Sequence, residues 1–223
     1  MVFVTGDCHG EIDRFLPEQF PQIKELTRSD SIIIAGDFGF LWTGDEEDQR
    51  ILDQIEALGP MILFVDGNHE NFDLLSEYPV EEWRGGSVHV LRPHILHLMR
   101  GQMYTIEGKR FFTFGGAKST DKMYRRKGVS WWEEELANAD EMMAGAATME
   151  KNGWECNYII THCAPEKIRL SLGGDYEGDY LTAYLEQIWR NCRYDAWFCG
   201  HYHMDRMVNE KFCILYEEIK RIL

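Results

Sequence analysis

"MILFVDGNHE", residues Met61 to Glu70, changes character half-way along. It opens with an unbroken apolar run whose length and Ile, Phe and Val content suit a strand buried on both faces, and the glycine and polar residues that follow end it at once. The pattern recurs as "VFVTGD" from Val2, "SIIIAGD" from Ser31, "NYIITH" from Asn157 and "DAWFCGH" from Asp195. Helix-like segments separate the early runs. From Asp45 to Leu58, Ile51, Leu52, Ile55 and Leu58 share one face, and Gly59-Pro60 stops the helix. Strands alternating with helices predict a parallel sheet with crossover helices, an α/β fold.

The middle of the chain reads differently. Val88 to Gly116 suggests several tightly joined strands, with "TIEGKRFFTFGG" (Thr105 to Gly116) as a hairpin turned at Gly108. Trp131 to about Lys151 is a helix candidate, with Trp131-Trp132 anchoring it in the core. "EEDQR" (Glu46 to Arg50) and "WWEEEL" (Trp131 to Leu136) read as exposed helical faces. Asp205 to Ile219 reads as a strand pair. With 44% hydrophobic residues in 223, the chain can bury a sizeable core. No repeat, low-complexity tract or flexible linker divides it, so one domain is expected over residues 1–223.

A formal net charge of −15 argues against general binding to a nucleic-acid backbone or an anionic membrane, since the long-range field repels both. Six cysteines include no Cys-x-x-Cys pair, and several lie in apolar runs, so free, buried thiols in a reducing cytoplasm are expected. The chain opens on "MVFVTGD" without a signal-like start, and no stretch reaches the roughly 18 apolar residues of a membrane span.

Each of the five strand candidates is followed by residues able to bind a metal: Asp7-Cys8-His9, Asp37, Asn68-His69, His162 and His201-Tyr202-His203. Open α/β sheets place their sites at the carboxyl ends of the strands, so these distant residues should converge on one edge. Asp7 and His9, alternate residues of an extended segment, should point one way and Cys8 another. Carboxylates, an amide oxygen and imidazoles suit Mn²⁺ first, with Fe, Zn²⁺ or Ni²⁺ as alternatives. The set exceeds what one ion with an open position needs. Two divalent ions roughly 3.5–4 Å apart and sharing a carboxylate would use it, an arrangement suited to phosphoester hydrolysis.

"GDCHG" (Gly6 to Gly10), "GDFG" (Gly36 to Gly39), "GNHE" (Gly67 to Glu70), "THCAP" (Thr161 to Pro165) and "GHYH" (Gly200 to His203) together resemble the ordered signature of the calcineurin-like metallophosphoesterase superfamily. The resemblance implies a four-layered α/β/β/α sandwich, two mixed sheets flanked by helices. It implies that Asp7, His9 and His203 hold one metal, that Asn68, His162 and His201 hold the other, and that Asp37 bridges them. His69 would be the general acid, assisting attack by a metal-bridging hydroxide on a phosphomonoester or phosphodiester. An acid needs its proton, so a carboxylate is expected beside His69 to raise its pKa.

The sequence departs from the serine/threonine protein phosphatases of that superfamily. Their second motif continues into an aspartate and an arginine, and another arginine precedes their GNHE; here the matching stretches are "GDFGFLW" and "VDGNHE". A phosphorylated small molecule or nucleotide is therefore the expected substrate, with a protein phosphatase or a non-catalytic binding module as alternatives. In "GGAKSTDKMYRRKG" (Gly115 to Gly128), Lys118, Arg125 and Arg126 are the candidates to replace the missing phosphate-binding arginines.

Overall fold

The computed structural model describes residues 1–173 and 178–223. Each of the five apolar runs forms a strand: β1 (Val2–Thr5), β2 (Ser31–Ala35), β3 (Met61–Val65), β9 (Tyr158–Thr161) and β10 (Ala196–Cys199). The others are β4 (Val80–Trp83), β5 (Gly86–Arg92), β6 (Ile95–Leu98), β7 (Gln102–Ile106), β8 (Lys109–Phe114), β11 (Arg206–Asn209), β12 (Phe212–Ile214) and β13 (Lys220–Arg221). The helices are α1 (Glu46–Glu56), α2 (Phe72–Glu77), α3 (Ala139–Lys151), α4 (Glu166–Leu172) and α5 (Tyr180–Asn191).

Two mixed sheets result. In the first, ordered β13-β1-β2-β3-β6-β5-β4, the strands β1, β2, β3 and β6 run parallel and the edges antiparallel. In the second, ordered β11-β12-β10-β9-β8-β7, the strands β12, β10, β9 and β8 run parallel. The four middle strands, β5 to β8, divide between the sheets, and the hairpin at Gly108 joins β7 to β8 through Glu107 and Gly108, both at positive φ.

Strand periodicity sorts the core into layers. Ile33 and Ala35 of β2 face the second sheet and pack in one cluster with Phe111, Ile160 and Phe198. Ile32 and Ile34 face outward onto Leu52 and Ile55 of α1 and Leu75 of α2. On the far side, Met149, Ile168, Leu181 and Leu185 of α3, α4 and α5 cover β8, β9 and β10. The order helix, sheet, sheet, helix is the expected four-layered sandwich. Phe111 is fully buried between the sheets, so Phe111→Ala is expected to lower the free energy of unfolding by about 3–5 kcal/mol. Leu170→Ala, on an exposed face of α4, should change it by less than about 0.5 kcal/mol, and urea denaturation of the two variants checks the contrast.

Local chemistry fixes the helix ends. Asp45 caps α1 by accepting from the backbone N–H groups of Glu47 and Asp48. Asp48 departs from the exposed-face reading of "EEDQR": it is buried, and its Oδ2 accepts from the N–H of Trp42, Thr43 and Gly44, each at 2.7 Å. The helix expected from Trp131 starts only at Ala139, where Asn138 and Glu141 form a capping box. Before it lies one 3₁₀ turn, Glu133–Glu135, and Glu135 is buried rather than part of an exposed face. Asp205 to Ile219 contains the antiparallel pair β11 and β12, and β13 then returns beside β1. All six cysteines are free and buried, and no helix among the described residues is long and apolar enough to cross a membrane.

Candidate metal centre

The strands β1, β2, β3, β9 and β10 end at one edge, and the loops after them carry the polar residues. Close backbone packing lets those loops meet. A Cβ on Gly67 would stand 2.0 Å from Asp37 Oδ1, and one on Gly200 would stand 2.2 Å from Asp7 Oδ1, so only glycine fits at either position. Asp7 and His9 do face one cluster, but not as alternate residues of a strand. Strand β1 stops at Thr5, and His9 sits at φ +48°, so a left-handed turn, not an extended strand, sets its direction. Asp37, His201 and His203 share that region, at φ +51°, +69° and +47°. Such backbone costs about 1–3 kcal/mol per non-glycine residue and clusters at functional sites. Cys8 is buried, with its Sγ directed at the Gly6 carbonyl, away from the cluster as expected.

The donor atoms converge. One ligand atom each from Asp7, His9, Asp37 and His203 lie within 4.8 Å of one another. His9 Nε2 and His203 Nε2 are 3.1 Å apart, and His203 Nε2 is 3.4 Å from Asp7 Oδ2. Asp37 reaches both ways: its Oδ2 is 3.7 Å from His9 Nε2, and its Oδ1 is 3.4 Å from His162 Nε2. His162 Nε2 lies 3.1 Å from Asn68 Oδ1, and its ring meets that of His201 edge-on at 5.0 Å. The His201 N–H in turn donates to the Asp7 carboxylate at 2.9 Å.

Burial governs the electrostatics. It pushes the Asp7 carboxyl up to about 7, with the nearby Asp37 charge adding to the rise. At Asp37 burial acts in the same direction, but the His162 imidazole outweighs it and holds the carboxyl well below the usual range. His162 is the counterpart: burial opposes its protonation, yet Asp37 and Asp7 raise it to about 10. Burial and the His162 charge lower His201 to about 3.

His69 differs from its expected environment. No carboxylate pairs with its ring among the described residues; instead Arg125 Nη2 lies 2.7 Å from Nε2 and 3.2 Å from Nδ1. Burial lowers His69 to about 4; the Asp37 carboxylate acts in the expected direction without reversing this, and the Arg125 charge outside the ring reinforces burial. The imidazole is therefore a neutral acceptor in this arrangement. Of the other basic candidates, Lys118 lines a small cavity together with His201, whereas Arg126 is exposed and makes no side-chain contact with the cluster among the described residues.

A family model for calcineurin-like phosphoesterases matches residues 1–205. The chain belongs to the calcineurin-like phosphoesterase family. Among solved structures it is similar to a protein of unknown function, AQ665, from Aquifex aeolicus, at 17% identity and a TM-score of 0.37, over 87% of this chain and 89% of that one. No curated protein matches it.

This calcineurin-like phosphoesterase has a cluster whose chemistry fits divalent cations. The carboxylates of Asp7 and Asp37 are cut off from water, and two imidazole nitrogens face each other at 3.1 Å, so a cation among them would meet lone pairs and offset the burial of charge. Three supporting residues escaped the sequence reading. Ser119 accepts from Asn68 Nδ2 at 3.1 Å, which leaves Asn68 Oδ1 facing His162. Glu70 is buried and ties two loops together, accepting from the N–H of Phe38 at 2.8 Å and of Gly67 at 3.2 Å. Its place in "GNHE" was the only signal. Glu135, the third, lies beside Arg125, and burial pushes its carboxyl up to about 7.

Proposed function

We propose that the chain is a dinuclear metal-dependent phosphoesterase that hydrolyses phosphomonoesters or phosphodiesters of small molecules or nucleotides. The observation that carries this reading is the double reach of the Asp37 carboxylate, one oxygen toward His9 and the other toward His162. On this reading Asp7, His9 and His203 hold one ion, Asn68, His162 and His201 hold the other, and Asp37 is shared. When bound, the ions supply an acidified water as nucleophile at neutral pH and neutralise charge on the phosphoryl group.

The chain's own side chains do the rest. Arg125 Nη2, directed at His69, donates to a phosphoryl oxygen and orients the ester; Lys118 adds positive charge beside His201. When the phosphate draws Arg125 away, a charge that opposes protonation of His69 leaves with it, and His69 Nε2 holds the proton destined for the leaving oxygen. Six buried, free thiols suit a reducing compartment such as the cytoplasm.

The test is turnover of p-nitrophenyl phosphate and bis-p-nitrophenyl phosphate with metal content measured in parallel. The expected result is two ions per chain with Mn²⁺, loss of activity on chelation and its return on adding the ion back. A fully loaded protein inert toward every ester of a broad panel would turn the reading toward a binding module.

A further inference from the structure

Arg125 carries three polar edges and uses each differently. Nε donates to Asp121 Oδ2 at 2.8 Å, Nη1 donates to the Ser130 carbonyl at 3.3 Å, and Nη2 faces His69. Asp121 is half exposed, so solvent screens it and it contributes little to holding the guanidinium in one orientation. A second carboxylate is close and unused. Glu135 is 2% exposed, and neither of its oxygens makes a hydrogen bond of good geometry among the described residues, although the Ser119 hydroxyl stands close enough to favour its charged form; Oε1 stands 3.9 Å from Arg125 Nη1.

Native proteins seldom bury a carboxylate without a donor, because the group loses its hydration and gains nothing in exchange. Its neighbours Glu133 and Glu134 are exposed, so the inward turn of Glu135 is particular to that position. The backbone fixes it there: the Ala117 N–H donates to the Glu135 carbonyl at 3.0 Å. On its other side Glu135 lines a cavity of about 330 Å³ together with Lys118, Ser119 and Trp131.

We infer that Glu135 is a positioning residue for Arg125: as a phosphoryl oxygen takes Nη2 from His69, Nη1 closes onto the Glu135 carboxylate and Nη2 is held facing the ester. With Nε and Nη1 both engaged by carboxylates, the planar guanidinium keeps Nη2 aimed at the ester, and a buried anion fixes it from behind better than an exposed one. The inference rests on the proposed phosphoesterase reading.

A double-mutant cycle on the metal-loaded full chain tests it, with KM and kcat for p-nitrophenyl phosphate as readouts. Arg125→Ala and Glu135→Gln should each raise KM by about tenfold with metal content unchanged, and Glu135→Gln should have no further effect in the Arg125→Ala background. Glu135→Asp, which keeps the charge, should recover part of the loss. Should Glu135→Gln raise KM by the same factor whether or not Arg125 is present, its role is structural and the inference fails. Unchanged KM in Arg125→Ala with an active wild type also overturns it, while leaving the phosphoesterase reading intact. An inert, fully loaded wild type would remove both.

Discussion

Asp37→Asn is expected to strip the protein of both metal ions at once and to lower kcat/KM by more than about 100-fold. Its carboxylate faces both His9 Nε2 and His162 Nε2, and it is almost wholly buried, so an amide in its place removes the shared charge from both halves of the cluster. Changing residues that merely support metal ligands costs about 10–100-fold in metal affinity or activity, and a shared ligand should exceed that. His203→Ala, at the half-exposed side of the cluster, should by contrast weaken mainly one ion. Metal analysis of the two purified variants decides the matter. An Asp37→Asn protein that kept two ions and normal turnover would end the assignment of Asp37 as the bridge.

The second large effect belongs to His69. His69→Asn is expected to keep both ions and to lose about 10²–10⁴-fold in kcat/KM toward alkyl phosphoesters, but much less toward p-nitrophenyl esters, whose departing oxygen needs no proton. The pH profile adds a sign. Burial and Arg125 hold His69 low, near 4, so most molecules carry it neutral at neutral pH, and the protonated fraction grows as pH falls. The ratio of wild-type to variant kcat/KM for alkyl esters should therefore rise as pH falls from about 8 to about 6, because the titration of the nucleophile is common to both proteins. Both statements are read from a series of esters graded by leaving-group pKa under conditions where chemistry limits the rate. Equal impairment on activated and alkyl esters would dismiss the general-acid role, and loss of metal would make His69 a ligand instead.

The five strands and the edge they share were legible because their signal is local: a short apolar run that stops at a glycine or a polar side chain. What the sequence concealed depends on distant contacts. The helix expected from Trp131 starts at Ala139 because Trp132 is drawn into the body of the fold, where its Nε1 donates to Asp73 at 2.8 Å and its ring meets Trp42. The capping box at Asn138 and Glu141 was written in the chain and marks the true start. Arg125 and Arg126 are adjacent and chemically alike, yet one reaches His69 and the other faces solvent; the path of the loop decides this, and composition does not. Glu135 was likewise one acid among three until the 3₁₀ turn placed it inside.

The cluster draws Asp7, His9, Asp37 and Asn68 from loops of the seven-stranded sheet, and His162, His201 and His203 from loops of the six-stranded one. It is thus a seam as well as a site. The His201 N–H donates to Asp7, and His162 Nδ1 lies 2.8 Å from the Ala35 carbonyl, so even the bare protein laces the sheets together here. Cations held across that line would act as rivets. At a free concentration of 100 times the dissociation constant, each independent site adds about 2.7 kcal/mol to the free energy of unfolding, provided the unfolded chain does not bind the ion. Neither sheet alone carries all the donors of the cluster, so losing the register between them would release any cation held there and loosen the sandwich in the same event.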